Sequence, residues 1–429
     1  MLRFLKYIFA GLMTSLFLFP FNLPYQGLEV NTKMMLAAVG VVLFMIDKTK
    51  KKVLSIPKDF LLYSLLCIII SIWAFSVTVY NHTSDYAFAK YIISVWVWLS
   101  AGYAVLRLIQ MVHCKISVEL ISNYMIIVCV VQCILAYLMT LWPSLGTFVD
   151  SLMGEGDAFM SATKNRMHGL GAALDPAGLR FSAVLIITSW LLAHTDFDTA
   201  PRTGYLYLVA FIIIMIIGNI IARSTTIGAL VSICLLLISK WPVDGNISIG
   251  RSWTIVGGIL LFTIALSVWL YRVNPDFRAN LRFGFEGFFS LVEKGRWEVH
   301  SNEILKGMVV WPESLKTWII GDGWFDNPQD IPDRFGRVLS GFYMQTDIGY
   351  LRYIFYFGTI GLFGMISVFV YMTCTCIKSF PRYKWMFLTL LLVNLIGWFK
   401  VSSDIIMVFA PFLVLSFWEL EKDYNAYPL

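Results

Sequence analysis

Residues 204–240 read GYLYLVAFIIIMIIGNIIARSTTIGALVSICLLLISK, an apolar run of 37 residues whose one interior charge is Arg223. A helix crossing a bilayer uses about 20 apolar residues, so this run is too long for one helix of ordinary tilt. Gly218-Asn219 and Arg223-Ser224 lie near its middle. The run is therefore read as two helices, 204–221 and 224–240, joined by a tight turn that carries Arg223 at its tip. A guanidinium there either snorkels to the interface or faces a partner or a wet cavity. The second alternative makes it a functional residue.

The remainder of the chain has the same character. Its 429 residues are 58% hydrophobic and 14% charged, against about 25% charged in a soluble domain, and the mean hydropathy is +0.73. No water-soluble core could bury so much apolar chain. A soluble enzyme, a disordered protein and a nucleic-acid-binding module are excluded. The runs also lack the alternation, in strands of about ten residues, of an outer-membrane barrel. The expected fold is an all-α polytopic membrane protein of about twelve spanning helices. They fall at 5–22, 30–46, 59–80, 87–107, 117–142, 178–195, 204–221, 224–240, 253–272, 347–373, 385–399 and 402–419. No small-residue cleavage site follows the opening Met1-Leu-Arg-Phe-Leu-Lys6 segment, which is read as a retained first helix.

The densest basic cluster, Asp47-Lys48-Thr49-Lys50-Lys51-Lys52, sets the orientation, because such clusters stay cytoplasmic. Arg107 and Lys115, Arg202, Lys240 and Arg251, and Lys378, Arg382 and Lys384 then share that side, with both termini. The outside receives two long loops, 143–177 and 273–346, so the chain divides into 1–272, 273–346 and 347–429. On this plan the inside holds eleven Lys and five Arg, and the outside seven Lys and ten Arg. Lys inside is the topology signal. Arg outside asks for another reason, and its flat, permanently charged fork grips phosphate in a bidentate way. The seven cysteines show no zinc spacing. Cys374-Thr-Cys376 reads as two small hydrophobes at a helix end.

The first outer loop contains Lys164, Arg166, His168, Gly169, Asp175, Pro176 and Arg180. Asp175 before Pro176 reads as an N-cap, near which Lys164, Arg166 and Arg180 could meet a phosphate; a solvated basic loop is the alternative. In the second loop, Phe277–Lys294 interleaves charges with phenylalanines, as in a helix lying on the membrane interface. Asp322, Asp326, Asp330 and Asp333 lack EF-hand spacing and read as a solvated acidic loop. His300 and Glu303 fall short of a zinc motif. Asp347, Tyr350 and Arg352 enter the membrane together, with Asp347 placed as an N-cap. Lys400 and Asp404 are spaced as an ion pair.

The arrangement resembles the bacterial O-antigen polymerase family, which belongs with the O-antigen ligases to a superfamily of lipid-linked glycan transferases. The resemblance rests on many short-looped helices, one large outer loop before the last three, and Arg-rich third and fifth outer loops. At residue level it rests on Arg166-x-x-Gly169 with Pro176, on Ala222-Arg223-Ser224, and on the spacing Arg296-x10-Gly307. Asp347-Ile-Gly349-Tyr350-Leu-Arg352 followed by Gly358-Thr-Ile-Gly361 looks like the polymerase signature. The ligases carry a His where Asp347 stands, and Gly178 comes one residue late for an Arg166-x10-Gly match.

The resemblance implies a GT-C-like fold in a bacterial inner membrane and an undecaprenyl-pyrophosphate-linked oligosaccharide as substrate. It implies a polysaccharide chain-length regulator as partner besides the membrane lipids, with no nucleic acid, metal or cofactor. Arg223 and Arg296 would stabilise the departing pyrophosphate with Arg166, and Arg180, Arg282 and Arg352 stand behind them. Asp347 is the first choice of base, followed by His300 and Glu298; Tyr350 lies beside the substrate. A ligase and a lipid-linked sugar transporter are the alternatives. Against the transporter stand the long outer loop and the lack of repeated halves.

Overall fold

The computed structural model describes residues 2–25, 28–51, 56–154, 166–195, 200–239, 265, 267–328 and 341–426. Most of the ninth expected span (253–272) lies outside the described residues, as do Lys52, Lys164, Lys240, Arg251, Asp330 and Asp333. The chain is mostly helical. In order come α1 (Leu2–Leu18), an antiparallel hairpin β1 (Asn22–Tyr25) and β2 (Leu28–Asn31), α2 (Thr32–Lys51), α3 (Lys58–Tyr80), α4 (Tyr91–His113), α5 (Val118–Leu141) and α6 (Pro143–Ser151). They are followed by α7 (Leu174–His194), α8 (Pro201–Ile221), α9 (Thr225–Ser239), α10 (Pro275–Gly284) and α11 (Glu286–Lys294). The last are α12 (His300–Gly307), α13 (Leu315–Ile319), α14 (Gly349–Ser379), α15 (Lys384–Gly397) and α16 (Ile406–Ala426).

Six of these helices, α3, α4, α5, α7, α8 and α14, are long and apolar enough to cross a membrane. Shorter apolar helices cover Phe4–Leu18, Thr225–Ile238 and Ile406–Phe417. The 204–240 run is two helices, α8 and α9, with the turn at 222–224. The hairpin after α1 was not expected; a side-chain hydrogen bond from Asn31 to Asn22 (2.8 Å) closes its open end.

Packing divides the chain into two compact units, Met1–Thr32 with Lys115–Val299, and Lys33–Cys114 with His300–Leu429. The first is organised on α7, which is buried along most of its length. A Cβ on Gly178 would lie 2.0 Å from Ser224 Oγ, and one on Gly228 would lie 2.2 Å from Ser182 Cα. The backbones of α7 and α9 can approach this closely because the contact residues are Gly and Ser, as at small-residue interfaces in membranes. Ser182 uses the proximity. Its hydroxyl donates to the Ser224 carbonyl (3.0 Å) and accepts from Gly228 N (3.2 Å).

The second unit is organised on α14, which breaks at Phe357–Gly358, where Gly358 has φ +71°. The break frees carbonyls that a hydrocarbon environment cannot solvate. Those of Phe355 and Tyr356 accept from the backbone N–H groups of Asp322 (2.6 Å) and Gly323 (3.0 Å). The Phe357 carbonyl accepts from the Trp73 indole (2.9 Å). A Cβ on Gly358 would meet the Ile319 carbonyl oxygen at 2.0 Å, and one on Gly361 would enter the Phe357 ring. The Gly358-x-x-Gly361 spacing thus has a packing reason of its own.

Gly228→Val should lower the stability of the purified chain by at least about 1–3 kcal/mol, the usual cost of overpacking a tight core. The thermal unfolding midpoint in detergent checks this. A midpoint equal to that of the wild type would contradict the close α7–α9 contact.

Candidate functional site

In the first unit the α8–α9 turn presents Arg223, and α10 lies against it. Asn219 of α8 donates its side-chain amide to the Gly284 carbonyl (2.7 Å) and accepts from the Thr226 hydroxyl (2.5 Å). The Arg223 Nε donates to the Phe283 carbonyl (3.0 Å), and Nη1 meets Glu286 Oε2 at 2.7 Å. These bonds explain why Phe277–Lys294 is not one amphipathic helix. Its backbone turns at Phe285, between the residues held by Asn219 and by Arg223, and the segment becomes α10 and α11.

The Phe283 ring then lies under two guanidinium groups. That of Arg223 is 4.1 Å from the ring centroid and that of Arg166 is 5.7 Å away. Burial pulls the Arg223 pKa below its ordinary value; Glu286 opposes the shift and Arg166 adds to it. The arrangement concentrates positive charge on an aromatic surface, with Glu286 as the carboxylate bound at Arg223. A phosphate group has the charge and planar oxygen pairs to suit such forks.

Arg166 is placed by a tight loop. His168 bonds Asp150 through Nε2 (2.9 Å) and the Arg166 carbonyl through Nδ1 (3.0 Å). Gln132 donates to the Leu170 carbonyl (2.9 Å) and to Ser15 Oγ (3.0 Å). Gly171, at φ +68°, passes so near the Phe19 carbonyl that a Cβ would lie 2.5 Å from its oxygen. The helix that follows begins at Leu174 with Ala173 as its cap residue. Asp175 is therefore in the first turn and is not the N-cap expected from Asp175-Pro176; its carbonyl accepts from Ser224 Oγ (3.3 Å). Arg180 is half-buried one and a half turns further on, 5.7 Å from the Phe19 ring.

Two further arginines singled out in this unit, Arg282 and Arg296, have local partners. Arg282 makes two 2.7 Å bonds to Glu293 and one to the Tyr271 hydroxyl. Arg296 pairs with Glu298 (2.6 Å) while remaining 73% exposed.

In the second unit Arg352 is buried, 5% exposed. Its guanidinium donates to Ser402 Oγ (2.7 Å), the Phe325 carbonyl (3.1 Å) and Asp326 Oδ1 (2.7 Å). It lies 3.6 Å from the Phe325 ring centroid and 4.2 Å from that of Phe342. Asp347 Oδ1 is 4.0 Å from Arg352 Nη1. Asp347 is not the N-cap of α14: that position is Ile348, whose N–H donates to Thr346 Oγ1 (3.3 Å). Tyr350 donates its hydroxyl to the Leu395 carbonyl (2.8 Å) and packs on Phe399. His300 is exposed at the start of α12.

Of the acidic residues expected in a solvated loop, Asp326 is exposed and Asp322 is half-buried, and both have specific partners. Asp322 accepts from Lys316 (2.9 Å) and Thr317 (2.8 Å), and Asp326 holds Arg352. Burial and the Asp322 charge raise the Tyr343 pKa to about 12, so the phenol stays protonated and donates to Asp322. Residues 401–405 are not helical, so the i,i+4 spacing of Lys400 and Asp404 is not a helical register; Asp404 Oδ1 accepts from Ile406 N (3.0 Å). The α3–α4 loop contributes residues that the sequence reading missed. Asp85 accepts from Phe325 N (2.8 Å), Thr83 donates to the Gly323 carbonyl (2.9 Å), and Asn81 donates to the Gly321 carbonyl (3.2 Å). Their signal was faint: a polar run, Asn81-His-Thr-Ser-Asp85, between two apolar helices.

In comparisons with known proteins, no family model, no curated protein and no solved structure matches the chain.

The arginines should separate by stability. Arg352→Ala should cost about 2–4 kcal/mol, because it strands buried acceptors and a carboxylate partner. Arg296→Ala should stay within about 0.5 kcal/mol of wild type, as exposed substitutions do. Thermal midpoints of the two purified variants check the contrast, and equal midpoints would refute it.

Proposed function

We propose that this chain is a surface-polysaccharide polymerase of the O-antigen type, a glycosyltransferase that joins lipid-pyrophosphate-linked oligosaccharide repeat units. The observation that supports the reading best is the pair Arg166 and Arg223 over the Phe283 ring, at the end of an apolar helical hairpin. Cations fixed on rigid elements at a membrane boundary suit a lipid headgroup carrying two phosphates.

The chemistry follows from that substrate class. A hydroxyl of one repeat unit attacks the anomeric carbon at the reducing end of the growing chain. The bond from that carbon to the pyrophosphate oxygen breaks, and the lipid pyrophosphate leaves with the electron pair. Arg223 and Arg166 stabilise the charge that builds on it, and Arg296 joins them from an exposed position that a ligand can reach. The proton of the attacking hydroxyl passes to Asp347, with His300 and Glu298 as the next choices of base. Attack from the face opposite the leaving group inverts the anomeric centre, as in inverting glycosidases. The reading counts Arg180 and Arg282 of the first unit, and Tyr350 and Arg352 of the second, among the substrate-binding residues. The reading places twelve helices in a bacterial inner membrane, with both termini cytoplasmic and the Arg-rich loops in the periplasm. It gives the chain a GT-C-like fold and a chain-length regulator as partner.

A surface-glycan gel tests the proposal in a strain lacking the gene. Deletion should leave single repeat units attached to the lipid core, because ligation still operates. Bare core with polymer held on undecaprenyl pyrophosphate would mean a ligase, and lipid-linked units trapped on the inner leaflet would mean a transporter. Complementation with Arg223→Ala or Arg296→Ala should fail at normal protein level, and Arg→Lys should restore polymer only partly. Wild-type polymer from both Ala variants would remove the leaving-group role.

A further inference from the structure

In the second unit, the stretch just before the Gly321-Asp322-Gly323 turn presents apolar side chains outward. On α13, Leu315 is 74% exposed, and Ile319, four residues on along the same face, is exposed as well. Trp318 neighbours Leu315 on that face at the i,i+3 position. The Trp311 ring stacks on Trp318, with centroids 6.0 Å apart and planes inclined by 16°. Trp311 is itself 61% exposed. Together Trp311, Leu315, Trp318 and Ile319 make one apolar patch.

The patch is held in shape by specific bonds. A helix of five residues has little stability of its own, and α13 is fastened on several sides. Ser314 Oγ accepts from Thr317 N (3.0 Å) at its start. Lys316 and Thr317 give their polar groups to Asp322. The Trp318 indole donates to the Pro312 carbonyl (3.1 Å), which fixes the loop that carries Trp311.

The height of the patch along the spanning helices points to its partner. From Gly349 to Gly358 every residue of α14 except Tyr350 is buried, and large apolar side chains become exposed at Ile360 and Phe363. The stretch from Gly358 to Ser379 is about 33 Å long at 1.5 Å per residue, which matches a hydrocarbon core about 30 Å thick. The length of α3 is similar, about 34 Å. The end of α13 lies at the limit of both. Its Ile319 carbonyl abuts Gly358, and Asn81, the residue that caps α3, donates to the Gly321 carbonyl (3.2 Å). This puts α13 level with one face of the hydrocarbon layer, where tryptophan is favoured for its apolar body and polar edge. A glycan would need hydrogen-bonding groups beside the rings, yet the Trp318 N–H, Lys316 and Thr317 are engaged within the protein. We propose that Trp311, Leu315, Trp318 and Ile319 form a membrane foot. It lies in the interfacial layer of the bilayer, with Leu315 and Ile319 reaching the acyl chains. The proposal rests on α3 and α14 crossing the membrane and does not depend on the polymerase reading.

The full-length chain in vesicles of dioleoyl phosphatidylethanolamine and dioleoyl phosphatidylglycerol tests the foot. The vesicles also carry a phosphatidylcholine with a diazirine near the carbonyl end of one acyl chain. After photolysis, trypsin cuts behind Lys306 and Lys316 and releases 307–316, a peptide that holds Trp311 and Leu315 and nothing of α3 or α14. Mass spectrometry should find lipid adducts on 307–316 as well as on 353–378 from α14. Ile319→Glu places a charge on the immersed face while leaving 307–316 unaltered. It should cut the adducts on that peptide severalfold and spare those on 353–378. Unlabelled 307–316 beside labelled 353–378 in the wild type would overturn the proposal and leave the patch to a glycan or a second copy of the chain. Equal labelling of 307–316 in wild type and Ile319→Glu would also overturn it, because the apolar face would then not be what holds the segment at the bilayer.

Discussion

A carbonyl released from a helix inside a hydrocarbon layer has to find a donor within the protein, and each one left unsatisfied costs several kcal/mol. Much of the second unit is arranged around this constraint. The break at Phe357–Gly358 turns three carbonyls outward from α14, and the Gly321-Asp322-Gly323 turn and the Trp73 indole meet them. The turn is held in place in its own right by Asn81, Thr83 and Asp85. Its position puts Phe325 and Asp326 on Arg352, and a buried guanidinium becomes tolerable because aromatic faces and oxygen acceptors surround it. Left-handed glycines at 321, 323 and 358 permit the close approach.

The first unit depends on proximity of another kind. Gly178, Ser182, Ser224 and Gly228 let α7 and α9 touch, which fixes the 222–224 turn with little freedom. Arg223 therefore projects from a rigid base, and α10 is fastened to the same base through Asn219 and Arg223. Arg223, proposed to meet a pyrophosphate, is thus held by packing, which is what electrostatic stabilisation of a developing charge requires.

The six long apolar helices and the division of the 204–240 run were legible because they depend on local hydropathy. What escaped the sequence depends on partners distant along the chain. Asp175 and Asp347 have the local pattern of N-caps, yet Ala173 and Ile348 take those positions. The Phe277–Lys294 segment keeps its amphipathic pattern throughout, and only the bonds from Asn219 and Arg223 reveal the turn at Phe285. Nothing near Asp322 and Asp326 in sequence reveals their bonds to Thr317 and Arg352. Arg352, Tyr350, Arg282, Arg223 and Arg296 were chosen by motif and charge, and each is engaged with protein partners; Arg166 lies exposed beside the Phe283 ring.

The central claim is that a glycan is transferred off a lipid pyrophosphate at the expense of no other energy source. Its most direct measurement is reconstitution: purified chain in proteoliposomes, given an undecaprenyl-pyrophosphate-linked repeat unit, with products separated by length. The account predicts lipid-linked dimers and longer chains, with one free undecaprenyl pyrophosphate released for each glycosidic bond formed. Repeat units that remain single, or that cross the bilayer without any pyrophosphate release, would contradict it.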